Sequence, residues 1–161
     1  MDGLQYFALG DFPLQSGVTL PGATLAFRTY GALNAARNNA ILIPTFYAGQ
    51  HTDCELMFSQ GRAIDPAKHF IIVVNMFGNG LSSSPSNTPV PHDRARFPHI
   101  TVYDNVIAQH RLVTERLGTD HLKLVTGFSM GAQEAFHWGP LHPGMMDAIA
   151  PICGSARTAP H

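Results

Sequence analysis

Charge is scarce in this chain. Asp, Glu, Lys and Arg make up 13% of its 161 residues, and bases and acids nearly cancel at 10 and 11. No basic run occurs, so the electrostatic footprint of a nucleic-acid binder is missing. Cysteine is scarcer still: Cys54 and Cys153 are the two, far apart in sequence. They form no disulfide framework, and neither has a second cysteine at metal-ligand spacing. The nine histidines contain no H-E-x-x-H pair. No apolar stretch is long enough to span a bilayer. The N-terminus, Met1-Asp2-Gly3-Leu4-Gln5-Tyr6, lacks the basic segment and apolar core of a signal peptide. These absences predict a protein without a nucleic-acid partner, membrane contact, metal or bound cofactor, residing in a reducing cytoplasm.

What is present is apolar. Hydrophobic residues make up 45% of the chain, and a domain of this size buries about two-thirds of the surface its unfolded chain exposes. Residues 1–161 read as one domain, without internal repeats. Ala40-Ile41-Leu42-Ile43-Pro44 and Phe70-Ile71-Ile72-Val73-Val74 are short, unbroken apolar runs, the mark of strands buried on both faces. Ala23–Gly31 is a third strand candidate, and Ala148–Cys153 a last one. A short helix is expected around Asp53–Arg62. A longer one is expected from about Tyr103 to Leu117, with Val106, Val113 and Leu117 at helical spacing and Gly118 as its cap. Strands alternating with helices predict an α/β fold with a mostly parallel, doubly wound sheet. In such sheets function collects outside the carboxyl ends of the strands. The segments leaving strands there are Thr45–Gln50, Asn75–Pro89 and Gly127–Gly131.

Gly127-Phe128-Ser129-Met130-Gly131 carries the most information. It follows the apolar run Leu122–Thr126 and precedes a helical stretch from Ala132 to Trp138. This is G-x-S-x-G in a strand–turn–helix setting, the nucleophile elbow. The bland reading is a glycine-rich turn with an incidental serine. In the functional reading Ser129 is a nucleophile. The glycines two before and two after it relieve crowding where the chain passes close to itself. The backbone N–H of Met130 is one oxyanion donor, and a second should come from the loop after Ile41–Pro44, near Tyr47. Phe46, Tyr47 and Phe77 are candidate lining for an acyl pocket, although aromatics beside buried strands are more often core.

The rest of a catalytic triad is not evident. Elbow enzymes follow the order Ser, then Asp or Glu, then His. Glu134 and Asp147 are the downstream acids: Glu134 lies on the elbow helix, and Asp147 opens the last strand at the far edge of the sheet. His137 and His142 lie on, or just past, a helix leading away, and His161 is the final residue. The expectation is therefore a partial domain, cut after the strand that follows the elbow, with its acid and histidine beyond the chain end. Gly78-Asn79-Gly80 lacks the third glycine of a dinucleotide loop, and Ser83 stands in its place.

The segment Phe97-Pro98-His99-Ile100-Thr101-Val102-Tyr103-Asp104 leads through Ala108-Gln109 and Leu112 to Ser129-Met130-Gly131 and Gln133-Glu134-Ala135. From about Ala23 to Arg157 the chain resembles the N-terminal half of the homoserine O-acetyltransferase-like α/β-hydrolases. There an FPxxTVxD segment leads into just such a helix, and the elbow reads G-x-S-M-G. The resemblance implies an α/β-hydrolase fold, with Ser129 as the acyl-accepting serine and Tyr47 and Met130 as the oxyanion-hole amides. It implies acetyl-CoA as a co-substrate rather than a bound cofactor. It also implies transfer of the acetyl group to a small-molecule hydroxyl through an acyl-enzyme. Two segments differ from the acetyltransferases: Thr45-Phe46-Tyr47-Ala48-Gly49, and Asn75 to Pro85 in place of a longer Gly- and Cys-containing signature. Those differences keep two alternatives open: an ester hydrolase on the same scaffold, and a hydrolase-fold chain without turnover. The expected partners are a small-molecule ester or acyl donor and acceptor, and a second copy of the chain paired through an exposed sheet edge.

Overall fold

The computed structural model describes residues 3–157. Six strands form one sheet: β1 Gln5–Pro13, β2 Thr19–Tyr30, β3 Ala40–Pro44, β4 Phe70–Val74, β5 Leu124–Phe128 and β6 Ile149–Ile152. Two α-helices, α1 Val102–Arg111 and α2 Met130–Leu141, complete the main elements. The strand order is β1-β2-β4-β3-β5-β6. The pairs β4–β3, β3–β5 and β5–β6 are parallel, whereas β1–β2 and β2–β4 are antiparallel. The sheet is therefore mixed, parallel at its centre and antiparallel on its N-terminal side.

The apolar runs of β3 and β4 make sense in this order. Leu42, Ile72 and Val74 join Val125, Val106, Leu112, Ala135 and Trp138 in the larger core cluster, under α1 and α2. Their sequence neighbours Ile41, Ile43, Ile71 and Val73 face the other way, onto Cys54 and Phe58. Period-two alternation thus feeds two cores from one continuous run.

Three local outcomes differ from expectation. β1 was not legible, because Gly10, at φ +70°, and two register irregularities between Ala8 and Phe12 break its alternation. The expected helix at Asp53–Arg62 is only a 3-10 turn, Asp53–Met57. The chain leaves it because Phe58 turns in to pack on Tyr30, ring centroids 4.7 Å apart. The long helix ends its regular part at Arg111 and continues as a wider π turn, Leu112–Arg116. Gly118 follows at φ +59°, the left-handed cap position its sequence suggested.

The signature segment before α1 is explained by hydrogen bonding. Thr101 caps the helix in a reciprocal box with Asp104. The other Asp104 oxygen accepts the Gln15 N–H at 2.7 Å, tying the β1–β2 turn to α1. Asn105 accepts the Phe77 N–H at 2.9 Å, fixing the loop that leaves β4. Among the described residues no helix is long and apolar enough to cross a membrane.

Candidate active site

β3 lies between β4 and β5, so the chain turns to opposite sides on leaving β3 and β4. Loops therefore part at the carboxyl end of β3, the usual crevice of an open α/β sheet. Ser129 stands beside it, at the junction of β5 and α2, and is solvent-exposed. Its backbone has φ 54° and ψ −114°. A positive φ is strained for a residue with a Cβ, by about 1–3 kcal/mol. The surroundings hold it there. The Ser129 N–H donates to the Ile152 carbonyl on β6 at 3.0 Å, and the Ser129 carbonyl accepts from Ala132 and Gln133 at 3.0 and 3.2 Å.

The glycines of the pentapeptide have contacts that explain them. A Cβ on Gly127 would lie 2.5 Å from the Gly131 main chain. One on Gly131 would lie 2.5 Å from the Pro44 carbonyl and 2.8 Å from that of Thr45. The elbow thus crosses itself and also rests on the end of β3. Gly154 approaches the same turn, with a would-be Cβ 2.8 Å from the Ser129 carbonyl. Sequence reasoning anticipated the first crowding but not the contact with β3.

That contact brings the Tyr47 loop to the elbow. Tyr47, Ala48 and Met130 line one cavity of about 480 Å³ with Met76, Phe77, Gly78 and Asn79. The volume suits a small ligand. Phe77 is therefore a wall residue as well as a core residue, its ring 5.7 Å from that of Phe12. Phe46 lies one pocket away, against Leu56, Met57 and Phe128. The three sites singled out in the sequence, Ser129, Met130 and Tyr47, occupy one edge of the sheet.

Residues 41–161 match the alpha/beta hydrolase fold family. The chain belongs to the α/β-hydrolase family. It is similar to an ethyl acetate hydrolase of Pseudomonas veronii, 45% identical over 154 residues, which cover 95% of this chain and 44% of that protein. The homoserine O-acetyltransferase of Chlorobaculum tepidum is 36% identical over 97% of this chain and 46% of its own. Among solved structures, the acetyl esterase MekB superposes with a TM-score of 0.95 at 43% identity, over 98% of this chain and 46% of that one. The chain spans about half the length of the relatives it matches. Esterases stand above acetyltransferases in identity, which reverses the order that the signature segment implied.

The acids and histidines of this hydrolase fold are spent elsewhere. Glu134 is fully buried on α2. It accepts from the Gln109 amide, and Trp138 donates to the other end of Gln109 at 2.9 Å. Burial pushes the Glu134 carboxyl up to about 8, and the Gln109 bond only partly opposes it. Asp147 pairs with His121 Nε2 at 2.8 Å, beside Leu122 and Met146 at the entry to β5, the edge remote from Ser129. His137 Nδ1 lies 2.9 Å from the Gln133 carbonyl on its own helix. His142 stacks on His110 with ring centroids 4.1 Å apart. Among the described residues no hydrogen bond reaches the Ser129 side chain, and no three His, Cys, Asp or Glu side chains form a metal-holding group. His161 lies outside the described residues. The dinucleotide reading of Gly78-Asn79-Gly80 has no helix to support it. Ser82 and Ser83 instead accept main-chain N–H groups of β2, from Ala26 and Thr24, both at 2.9 Å.

Proposed function

We propose that Ser129 is an acyl-accepting nucleophile and that the protein hydrolyses small carboxylic esters, with acetyl esters as the leading substrates. The observation that carries this reading is the strained, exposed Ser129 on the elbow, beside a cavity walled by Tyr47 and Met130. The names of the similar ethyl acetate hydrolase and acetyl esterase support the ester class.

In this mechanism Ser129 Oγ attacks the ester carbonyl as its proton passes to a base. The carbonyl π pair moves onto oxygen, and the oxyanion is met by the main-chain N–H groups of Met130 and Tyr47. Collapse expels the alcohol, which takes up the proton, and leaves acyl-Ser129. Water adds to the acyl carbonyl and yields the carboxylate and free serine. The scheme requires a base at Ser129 Oγ, and among the described residues no hydrogen bond to that oxygen supplies one.

A second reading has its own support in the similar homoserine O-acetyltransferase: an alcohol in place of water resolves the acyl-serine, with acetyl-CoA as donor. Both readings predict acyl-Ser129. Incubation with p-nitrophenyl acetate followed by peptide mass spectrometry should place one acetyl group on the Ser129 peptide. Ser129→Ala should lose the adduct and lower turnover by about 10⁴-fold or more. Turnover undiminished in Ser129→Ala overturns the proposal. Adding candidate alcohols then separates the two readings, because acetyl transfer would compete with acetate release.

A further inference from the structure

We infer that Asn75 is a positioning residue, which together with Asn79 clamps the Tyr47 loop against the loop leaving β4. The inference deepens the acyl-transfer reading of the same site and rests on it for its catalytic consequence.

Tyr47 cannot hold its own loop. Its side chain is exposed and makes no hydrogen bond among the described residues. Ala48 beside it sits at φ +60°, an unfavourable backbone state for alanine. Something else must fix the main chain that lines the cavity.

Asn75 is the first residue after β4 and is completely buried. Its carboxamide oxygen accepts the His51 main-chain N–H at 3.1 Å and the Asn79 side-chain amide at 2.9 Å. Two donors on one atom identify that atom as the oxygen. Its NH₂ group donates to the Ala26 carbonyl on β2 at 3.1 Å and lies 3.4 Å from His51 Nδ1. All of the amide's hydrogen-bonding capacity is thereby engaged. Asn79 adds a second tie, from its NH₂ group to the Gly49 carbonyl at 3.2 Å. At the other end of the loop, Thr45 Oγ1 accepts the Met76 N–H at 3.1 Å. The loop is thus pinned at Thr45, Gly49 and His51, with Tyr47 and Ala48 between the pins. Every pin comes from the segment Asn75–Asn79, which forms the opposite wall of the cavity.

This arrangement predetermines the Tyr47 N–H direction before substrate arrives. Preorganised donors are what make an oxyanion hole effective, and a loop misplaced by about 1 Å can cost about 10²-fold in rate. Asn75 acts through the Tyr47 main chain and does not touch the reacting atoms.

Asn79→Asp is the discriminating variant. It keeps the side-chain oxygen that accepts from Leu81 and Ser82 inside its own loop at 3.1 and 3.4 Å. It replaces the donor to Gly49 and Asn75 with a carboxylate oxygen, which loses both bonds and repels both acceptors. Asn75→Ala is the companion, and Asn38→Asp, the same change in the exposed turn between β2 and β3, is the control. Two readouts are taken on the protein: amide hydrogen exchange, and steady-state hydrolysis of p-nitrophenyl acetate. Exchange over residues 46–51 should rise by about 10-fold or more in Asn79→Asp, with α2 unchanged. The kcat should fall by about 10- to 100-fold, with KM moving less than about 3-fold. Asn38→Asp should leave both the exchange over residues 46–51 and kcat at wild-type values. Wild-type exchange over 46–51 in Asn79→Asp, or raised exchange with unaltered kcat, overturns the positioning role. Serine-independent turnover in Ser129→Ala would instead overturn the acyl-transfer reading, and the exchange readout would still decide the clamp.

Discussion

Glu134 ties the chemistry of one buried carboxyl to the stability of the whole domain. One of its oxygens accepts from Gln109, and the other has no partner among the described residues. In the folded protein the carboxyl keeps its proton up to about pH 8, whereas the unfolded chain releases it near 4.5. The folded state therefore binds this proton more tightly. Its stabilising effect is complete below about pH 4.5 and is lost as pH rises towards 8. The loss should reach about 3 kcal/mol near neutrality. Glu134→Gln keeps the shape and the oxygen that accepts from Gln109, but cannot ionise. Urea unfolding at about pH 5 and about pH 7.5 should show the wild type losing stability relative to the variant as pH rises. Equal slopes would show that Glu134 is already solvated or neutralised by other means. Ser129 shows what one residue reveals in sequence. The strain at φ 54° is local, and its glycine relief lies within two positions. The pentapeptide therefore announced it. The Asn75 clamp was not legible, because it reaches His51 and Ala26, 24 and 49 positions away, through a side chain.

Between α1 and α2 the corresponding lever is a histidine pair. His110 comes from the end of α1 and His142 caps α2, and both pack on Trp138, 6.1 and 4.9 Å from its ring. Desolvation holds His110 below the ordinary imidazole range, against a smaller opposing pull from Glu115. Desolvation also lowers His142, with His110 adding repulsion. Depressed values mean that the packed rings stabilise the fold above about pH 6.5, and that this contribution fades as pH falls through the folded values. His142→Phe retains the ring stack and should raise Tm at about pH 5 relative to about pH 7, compared with the same difference in the wild type, as read by thermal unfolding. An unchanged acid limb would mean that the pair stays neutral or has access to water. At this scale the sequence was readable wherever one element contained its own signal. β3 and β4 are unbroken apolar runs, and α1 has helical spacing and a capping box. β1 is stabilised by its pairing with β2 across two irregularities, and the segment after Asp53 is decided by where Phe58 buries itself. Those outcomes depend on partners outside the segment. The higher identity to esterases than to acetyltransferases was equally hidden, since one elbow serves both readings.

At the scale of the molecule, the edge beyond β5 carries exposed apolar side chains. Tyr47, Leu56, Phe128 and Ile152 are 80%, 72%, 43% and 43% exposed. Phe128 and Ile152 are partners across β5 and β6, and Leu56 shares a recess with Phe128. They form one apolar surface next to Ser129, of the kind that drives association. β6 itself is a poor template for strand pairing. The carbonyls of Ala148 and Ile152 accept from Val125 and Ser129, so the main chains of Ile149 and Pro151 face outwards. Pro151 has no N–H to offer, which is how exposed edges are commonly blunted. Side-chain burial should therefore dominate over ladder extension. Sedimentation velocity of the 161-residue chain should show reversible self-association that grows with concentration. Leu56→Ser with Ile152→Ser should shift it to monomer by removing the apolar contact. Pro151→Val should push it towards larger assemblies by restoring an outward N–H donor. A wild-type chain that stays monomeric at every concentration would rule out the apolar surface as a driving force. Insensitivity to Pro151→Val, with the serine variants monomeric, would leave the surface as the sole driver and the strand edge as a bystander.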